Sequence, residues 1–513
     1  MNPFSQLLSS YVNASNVNVS KMASYCEIDR SSMYKILQGT RKPGTLDLVV
    51  RISHYLNLSP EQTELLTEQY EILQIGQKTY GRRKAIYNLL CVALSPNRPR
   101  ISEGFLSSYI SVSGNKRGRS GRESLVIEGT DNILSACGYL VQEEIKRPDG
   151  LVQIRMQPEK RFCDLLRTIC KNRHPVPGGG YTIHQIIALK GRDTSTDVVP
   201  FNLEKISTML PLCKEVFPFE LYYYHTNIHS SSITFSFLPY AVITESAVVQ
   251  ISEDLRYAVL HNAPETVAFF KTVYRRLLEA CSPLTENCRD YRDLLVRGMH
   301  RTVGCGSVSF STFPGLSAFM TVQLYEKYLR KDLPDRNFIL RAGLDLARKD
   351  LKCVKAHALS VFVSEKGIRD FMETGRIYQY PSSLYNPLEP GDRLDVLQHY
   401  IRAMREQHIS FHIIRETLTE ACSRISLLLD KNFANIKISD EQENLKIVTV
   451  RDPEILGAAM DFFARPYEDI CYDEEKSLEI LELVSADYFP STAEVSSRGI
   501  SRISSSAEKK DIS

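Results

Sequence analysis

The chain has 513 residues, with 63 Lys and Arg against 61 Asp and Glu and a net charge of +2. That balance excludes a protein that holds nucleic acid by bulk positive charge, and shares of 43% hydrophobic and 24% charged residues are those of a globular chain. The length asks for about three domains rather than one core.

The 12 cysteines form no Cys-x-x-Cys pair, which argues against a structural zinc site and for reduced, buried thiols. The opening MNPFSQLLSSYVN has neither the basic start nor the apolar stretch of a signal peptide. No run approaches the roughly 18 apolar residues of a membrane span. A soluble, cytoplasmic protein with no membrane partner is expected.

Residues 3–12 predict an amphipathic helix with Phe4, Leu7, Leu8 and Tyr11 inward. Asn18 to Pro43, NVSKMASYCEIDRSSMYKILQGTRKP, predicts two short helices around a tight turn, followed by a basic loop that ends in proline. Met22, Cys26, Met33 and Leu37 keep helical spacing, and Ile28 falls in the turn. Asn18 or Ser20 can cap the first helix and Asp29 the second. Helices this short need a bundle around them. TLDLVVRISHYLNL supplies a fourth helix. Ser59-Pro60-Glu61-Gln62 then opens a fifth through about Leu73, with an N-cap serine, proline at the first helical position and a capping-box glutamine.

This stretch resembles the Cro/repressor-type (XRE-like) helix-turn-helix family. Met22-Ala23 stand at the Leu-Ala pair that starts the motif, and Ile28 at its turn hydrophobe. Arg30-Ser31-Ser32 stand at the exposed start of the recognition helix, with Met33 and Ile36 on its buried side. Gly39 to Pro43 matches the Gly-basic-basic-Pro exit. The match covers about seventy residues. Glu27 occupies the turn position where glycine is usual in the family, so either a non-glycine residue takes the left-handed conformation or the turn differs. Val19 stands where members often carry a phosphate-contacting glutamine, and Leu37 replaces a common glutamate.

The resemblance implies an all-α five-helix DNA-binding domain over residues 1–75. Its recognition helix would present Arg30, Ser31, Ser32, Tyr34 and Lys35 to base edges in the major groove. Ser20, Lys21, Arg41 and Lys42 would hold phosphates and set register. Because one short helix makes few base contacts, a homodimer on double-stranded DNA is expected.

Residues 80–175 hold 17 Lys and Arg against 9 Asp and Glu and read as a basic connector. Its peak, Ser113–Ser124, is a Gly/Ser/Arg-rich loop that either grips DNA backbone or is simply solvated. A helix over 130–140, followed by Glu143–Arg147 and Leu151–Met156 around Pro148-Asp149-Gly150, gives a helix-then-hairpin outline like a winged helix. Glu159–Cys170 reads as another helix. His174–Gly180, HPVPGGG, reads as a linker, since no Gly-Lys-Ser/Thr follows its glycines.

From Tyr181 the texture is that of α+β domains with antiparallel sheets. IHQIIAL, ELYYYH, SITFSFL, YAVITESAVVQIS and LRYAVLHN are β-rich, with a helix over NLEKISTMLPLC and another from Pro264-Glu265. Residues 181–290 are expected to form one α+β unit with a sensor role. Residues 291–484 form a second unit. Its ending (Asn444–Thr449, then Pro453-Glu454) compares with Asp254–Val259, then Pro264-Glu265, either as a repeat or by chance similarity. LSVFVSEKGIRDFMETG opens like the same strand-then-helix segment, and helices are expected over 316–327, 335–348 and 392–407. Residues 485–513 read as a disordered Ser-rich tail.

Catalytic patterns are sparse. His225/His229 and His408/His412 are spaced four apart in strand-like stretches, where packing explains them better than metal binding. Cys163 and Cys170 read as buried thiols, and Gly304-Cys305-Gly306-Ser307 lacks nucleophile-elbow spacing. No cofactor, no metal and no enzymatic activity are expected. The expected function is that of a bacterial transcriptional regulator whose C-terminal region senses a small-molecule effector or mediates assembly. Leu221–Tyr224 and a crevice between the repeats are the places to look for a ligand. Two alternatives are the same DNA-binding domain fused to an interaction scaffold or to an unidentified enzyme.

Overall fold

The protein was analysed as a computed structural model, which describes residues 1–94, 124–172, 180–191, 201–215, 217–226, 237–287, 292, 295, 306–315, 317–356, 359–416, 424–439, 445–465 and 470–488. The loop peak at 113–123, the 173–179 stretch, most of SITFSFL, His229, Gly304-Cys305 and the tail from 489 lie outside the described residues. The chain divides into two compact units, one ending at Tyr87 and the other holding the described residues from Asn88 onward. It is multidomain: a helical N-terminal region precedes α+β architecture.

The first unit begins with α1 (Pro3–Ala14), α2 (Val19–Tyr25), α3 (Arg30–Gln38), α4 (Leu46–Tyr55) and α5 (Pro60–Ile75). A sixth helix, α6 (Gln77–Leu94), follows Gly76 and carries the chain past Tyr87. Phe4, Leu8, Met22, Met33, Val49, Ile52 and Leu66 form the shared core. Ser59 and Gln62 make the expected capping box at the start of α5. Short helices need defined ends, and here three of them stop on one left-handed residue each: Glu27 (φ 55°), Gly39 (φ 77°) and Asn57 (φ 51°). After each, the next amide reaches back to the helix: Ile28 to the Ala23 carbonyl, Thr40 to Lys35 and Leu58 to Ser53. This is the six-to-one bond of a Schellman end.

The second unit holds two mixed sheets. In the first, β1 (Ser124–Glu128), α7 (Thr130–Glu144), β2 (Gly150–Arg155), α8 (Lys160–Lys171), β3 (Tyr181–Lys190), α9 (Phe201–Cys213) and β4 (Phe219–Thr226) are followed by the meander β5 (Tyr240–Ile243), β6 (Val248–Ile251) and β7 (Tyr257–His261). Then come α10 (Pro264–Glu279) and β8 (Ser282–Pro283). The sheet order is β1-β7-β6-β5-β2-β3-β4-β8. Strands β2, β3 and β4 are mutually parallel, and the other pairs are antiparallel.

The expected helix-then-hairpin at 130–156 is not formed. Glu143 and Glu144 are the last turn of α7, and β2 pairs with β3 and β5. The chain on either side of 173–179 therefore shares one sheet, and β1, α7, β2 and α8 belong to it rather than to a winged helix. A basic Lys-Arg-Pro-Asp-Gly turn marks where a strand starts but not what precedes it, and burial of Ile133, Leu134, Cys137 and Val141 favours the helix.

The second sheet is built from β9 (Thr285–Asn287), β10 (Ser307–Ser311), β11 (Leu359–Ser364), β12 (Ser410–Ile414), β13 (Arg424–Asp430), β14 (Phe433–Ser439) and β15 (Leu445–Val450). Its helices are α11 (Val322–Tyr328), α12 (Arg336–Lys355), α13 (Glu365–Thr374), α14 (Pro390–Arg405), α15 (Pro453–Ala464) and α16 (Glu474–Tyr488). The order is β12-β11-β10-β13-β14-β15-β9. Read from the parallel end, the first sheet runs β4-β3-β2-β5-β6-β7-β1, the same succession of three parallel strands, a meander and an edge strand. The correspondence extends past the last helix. Ser282 and Pro283 pair with β4 after α10, and Cys471 bridges to Ile414 of β12 after α15.

Six residues join the sheets. Ser282–Pro283 pair with β4, and Thr285–Asn287 pair with β15. Leu221 donates its amide to Thr285 Oγ1 (2.7 Å) and accepts from Leu284 (2.7 Å), while Thr449 donates to the Leu284 carbonyl (2.8 Å). Buried polar ties back this seam. Asn202 Nδ2 donates to Asp452 Oδ2 (2.7 Å), and Asp452 Oδ1 caps α15 through the Glu454 and Ile455 amides. Lys446 donates to the Glu215 carbonyl (3.3 Å) above the Phe219 ring, and its burial lowers its pKa.

Asp452→Ala removes the α15 cap and leaves the buried Asn202 amide without its carboxylate. The expected loss is about 1–3 kcal/mol, measured as a lower denaturant midpoint at unchanged slope. A neutral substitution would show that the seam does not depend on this carboxylate.

Candidate nucleic-acid interface

Helix α3 starts on Asp29, whose carboxylate collects three donors. Oδ1 accepts from the Ser32 amide (2.8 Å) and the Ser31 hydroxyl (2.7 Å), and Oδ2 accepts from the Ser32 hydroxyl (2.6 Å). Arg41 closes the ring, donating from its guanidinium to Ser32 Oγ at 2.5 Å. The hydroxyls of Ser32 and Ser31, the Ser32 amide and the Arg41 charge together hold the Asp29 carboxyl well below the usual carboxylate range.

Ser32 therefore differs from the other residues expected on the outer face. It is 6% exposed, and its hydroxyl is committed to Asp29 and Arg41. Arg30, Ser31, Tyr34 and Lys35 are exposed. The Arg30 guanidinium lies 5.4 Å from the Tyr34 ring centre, one helical turn on, an arrangement that holds a long cation along the helix rather than free in solvent. On the opposite side Met33 and Ile36 are buried, as the resemblance implied.

The exit from α3 is tied down at both ends. Ser5 Oγ donates to the Ile36 carbonyl (2.7 Å), and a Cβ on Gly39 would come 3.2 Å from the Asn2 amide nitrogen in a backbone already at positive φ. Only glycine sits there without strain. Lys42 Nζ donates to the Leu73 carbonyl (2.6 Å) in the last turn of α5, a favourable place for a cation. Gln74 Nε2 donates to the Pro43 carbonyl (3.0 Å). Lys42 is thus exposed yet engaged. Ser20 and Lys21 lie in the first turn of α2, where Asn18 Oδ1 accepts both their amides, and Lys21 is exposed.

Glu27 adopts the left-handed conformation that its place in the turn requires. Its carboxylate pairs with Arg51 at 2.7 Å, and Arg51 also pairs with Asp47. Val19 and Leu37 pack at the edge of the core. Arg51 was not singled out by sequence, because nothing in the local pattern joins α4 to the turn. The signal available was an acidic residue at a glycine position.

Elsewhere the sequence candidates are structural. Tyr222 donates to Glu220 (2.7 Å), which also meets His184 (3.1 Å), and Tyr222 and Tyr224 pack under α10. His412 lies stacked on Phe362 at 4.9 Å and against the Tyr472 carbonyl. Cys163 and Cys170 are buried, with burial pushing the Cys163 thiol up to about 12. No group of three or more His, Cys, Asp or Glu able to hold a metal occurs among the described residues. No helix among them is long and apolar enough to cross a membrane.

No protein-family model matches the chain, and no curated protein matches it. Among solved structures it is similar to TrmBL2, an archaeal chromatin protein described as showing a novel mode of DNA binding, at 14% identity and a TM-score of 0.21 over 51% of this chain and 86% of that one. It is also similar to phosphatidylserine synthase from Haemophilus influenzae Rd KW20, at 8% identity and a TM-score of 0.24 over 75% of this chain and 93% of that one. At these TM-scores neither assigns a function. The expectation of no enzymatic activity is corrected: it rested on the want of a familiar motif, which does not exclude catalysis, and one of these two structures is that of an enzyme.

Asp29 makes a pH prediction. Its folded pKa is depressed, so its contribution to stability is complete above the unfolded value of about 3.9 and is lost as pH falls toward the folded one. The melting temperature of the N-terminal helices should therefore fall below about pH 4, and Asp29→Asn should flatten that acid limb. An acid limb equally steep in both proteins would remove Asp29 from this role.

Proposed function

We propose that the protein is a sequence-specific, DNA-binding transcriptional regulator of the Cro/repressor type, whose C-terminal region responds to a ligand or builds the assembly. One observation carries the reading. Arg30, Ser31, Tyr34 and Lys35 stand outward on a helix whose opposite side is locked by Met33 and Ile36, with the basic loop Arg41-Lys42 anchored beside it. A rigid helix with a free, cation-bearing leading end is what major-groove docking requires.

In this reading Arg30 reads a base edge, with Ser31, Tyr34 and Lys35 beside it. Ser20, Lys21, Arg41 and Lys42 meet phosphates. Ser32 sets the position of Arg41 and the start of the helix, and contacts DNA only at its margin.

The protein acts as a homodimer, and the edge strand β1 supports this. Val126 is 66% exposed and Leu125 42% exposed on a strand with no lysine, proline or bulge to guard it. Among the described residues its outer edge pairs with nothing. Ser-Leu-Val-Ile-Glu is self-complementary about Val126 when antiparallel: apolar residues meet apolar ones, and Glu128 faces Ser124 instead of another glutamate. The corresponding strand of the second sheet, β9, has its free side covered by β4.

Against DNA recovered by selection from a random pool, Arg30→Ala should lose selectivity by about 1–3 kcal/mol. Lys21→Ala should weaken all sequences alike and flatten the salt dependence by about one unit. Equal effects of the two substitutions would count against the assigned roles. Light scattering on the DNA-free chain should give twice the monomer mass, falling to the monomer mass for Val126→Lys. A monomeric wild type would remove the dimer and leave DNA binding to be judged on its own.

A further inference from the structure

Strand β12 begins Ser410-Phe411-His412-Ile413. Phe411 and Ile413 are buried on one face, so Ser410 and His412 stand together on the other. There His412 lies on Phe362, its partner in register on β11, with ring centres 4.9 Å apart and planes at 19°. The chain from Ile470 to Tyr472 runs back along β12. Arg415 donates its amide to the Ile470 carbonyl (2.8 Å), and Tyr472 donates to the Ile413 carbonyl (2.9 Å). That pairing brings the Tyr472 carbonyl to His412 Nδ1 at 3.0 Å. Ser477, wholly buried, ties the carbonyl down: its hydroxyl donates to Tyr472 (3.4 Å) and accepts the Ile413 amide (2.9 Å).

A carbonyl oxygen only accepts, so Nδ1 carries the proton, and in the neutral ring Nε2 keeps a lone pair. Nε2 lies 3.1 Å from Ser410 Oγ. Glu474, in the first turn of α16, completes the group. Its Oε1 is 2.5 Å from the same Oγ and 4.0 Å from Nε2. The single hydroxyl proton thus has two acceptors, and a turn about the Cβ–Oγ bond exchanges them. Ser410 is half-buried and Glu474 is exposed. Packing on Phe362 accounts for where the imidazole sits, but it needs neither Ser410 nor Glu474. A hydroxyl in hydrogen-bond reach of a base, with that base oriented by a third group, is the arrangement of an activated nucleophile.

We infer that Ser410 and His412 are the nucleophile and general base of an acyl-transfer site for uncharged carboxylic esters, with Glu474 stabilising the charge that develops on the ring. Ser410 Oγ attacks the ester carbonyl carbon while its proton passes to His412 Nε2. A C–Oγ bond forms, and the carbonyl π pair moves to oxygen. As that pair returns, the bond to the alkoxy group breaks, and the leaving oxygen takes the proton from Nε2. Water then attacks the acyl-serine, giving its proton to the same nitrogen, which returns it to Ser410 Oγ as the acid departs. Asp473, Glu474 and Glu475 are consecutive and exposed at the start of α16, and they repel an anionic acyl group. The inference goes beyond the regulator reading and depends on neither DNA nor a dimer.

The test uses the full chain, an alkyl fluorophosphonate and two nitrophenyl esters. The fluorophosphonate should form a P–Oγ bond with loss of fluoride. Tryptic digestion should place the label on the peptide Glu406–Arg415, in which Ser410 is the one hydroxyl residue. The folded chain should be labelled and the urea-unfolded chain should not, because only the fold brings the Tyr472 carbonyl to the ring. p-Nitrophenyl butyrate should be hydrolysed faster than in buffer, and Ser410→Ala should abolish that excess. The anionic p-nitrophenyl hemiester of glutaric acid should react at least about tenfold more slowly. His412→Gln should slow labelling at least about a hundredfold with unchanged circular dichroism. Should that variant fail to fold, the comparison of folded with unfolded wild type decides. The proposal is overturned by the absence of label on that peptide, by equal labelling of the unfolded chain, or by undiminished labelling of folded His412→Gln. Equal rates for the two esters overturn the substrate class.

Discussion

The Asp29 carboxylate is the interaction on which the N-terminal region turns. A nine-residue helix has four leading amides with no partner inside the helix, and its nucleus is costly to form. Asp29 satisfies one of these amides, takes both serine hydroxyls and, through Ser32, draws in Arg41 from beyond the far end of the helix. One side chain thus fixes the start of α3 and the course of the loop after it. The negative charge also sits at the positive end of the helix dipole. With the beginning and the exit held, the outward side chains keep a defined geometry without contributing to the fold themselves.

The second unit shows a different economy. Each sheet has three parallel strands, whose connections pass through helices, joined to an antiparallel meander that needs only short turns. The parallel part lies in the interior, since Ile183, Ile187, Val361 and Ile413 are all buried. Such a sheet has two open edges, and each edge strand carries unpaired backbone groups. Ser282–Asn287 removes one edge from each sheet by pairing to both. Buried polar groups cross the seam beside apolar residues such as Phe219 and Leu284. That is affordable in free energy only because Asn202, Asp452 and Lys446 have partners where they are buried.

Sequence alone determined much of the first unit. Local rules govern short helices: the capping residues Asn18, Asp29 and Ser59, the turn hydrophobe Ile28 and the Gly39 exit act within a few positions of themselves. At Glu27 the sequence left two outcomes open, and the structure gives the left-handed one. Tertiary structure decided whatever depended on distant partners. Ser32 has the composition of a surface residue and is buried by Arg41, nine positions on. Lys42 is tied to α5, and Arg51 to the turn. In the second unit single strands were legible, but their pairing was not. The parallel β2-β3 pair reached across a stretch that looked like a linker, and the Pro-Asp-Gly turn joined a helix, not a strand, to β2. The shared order of the two sheets showed in the sequence only at the last strand of each meander and the Pro-Glu helix start after it, because a strand's own residues specify which of its faces is buried and not which strand lies beside it.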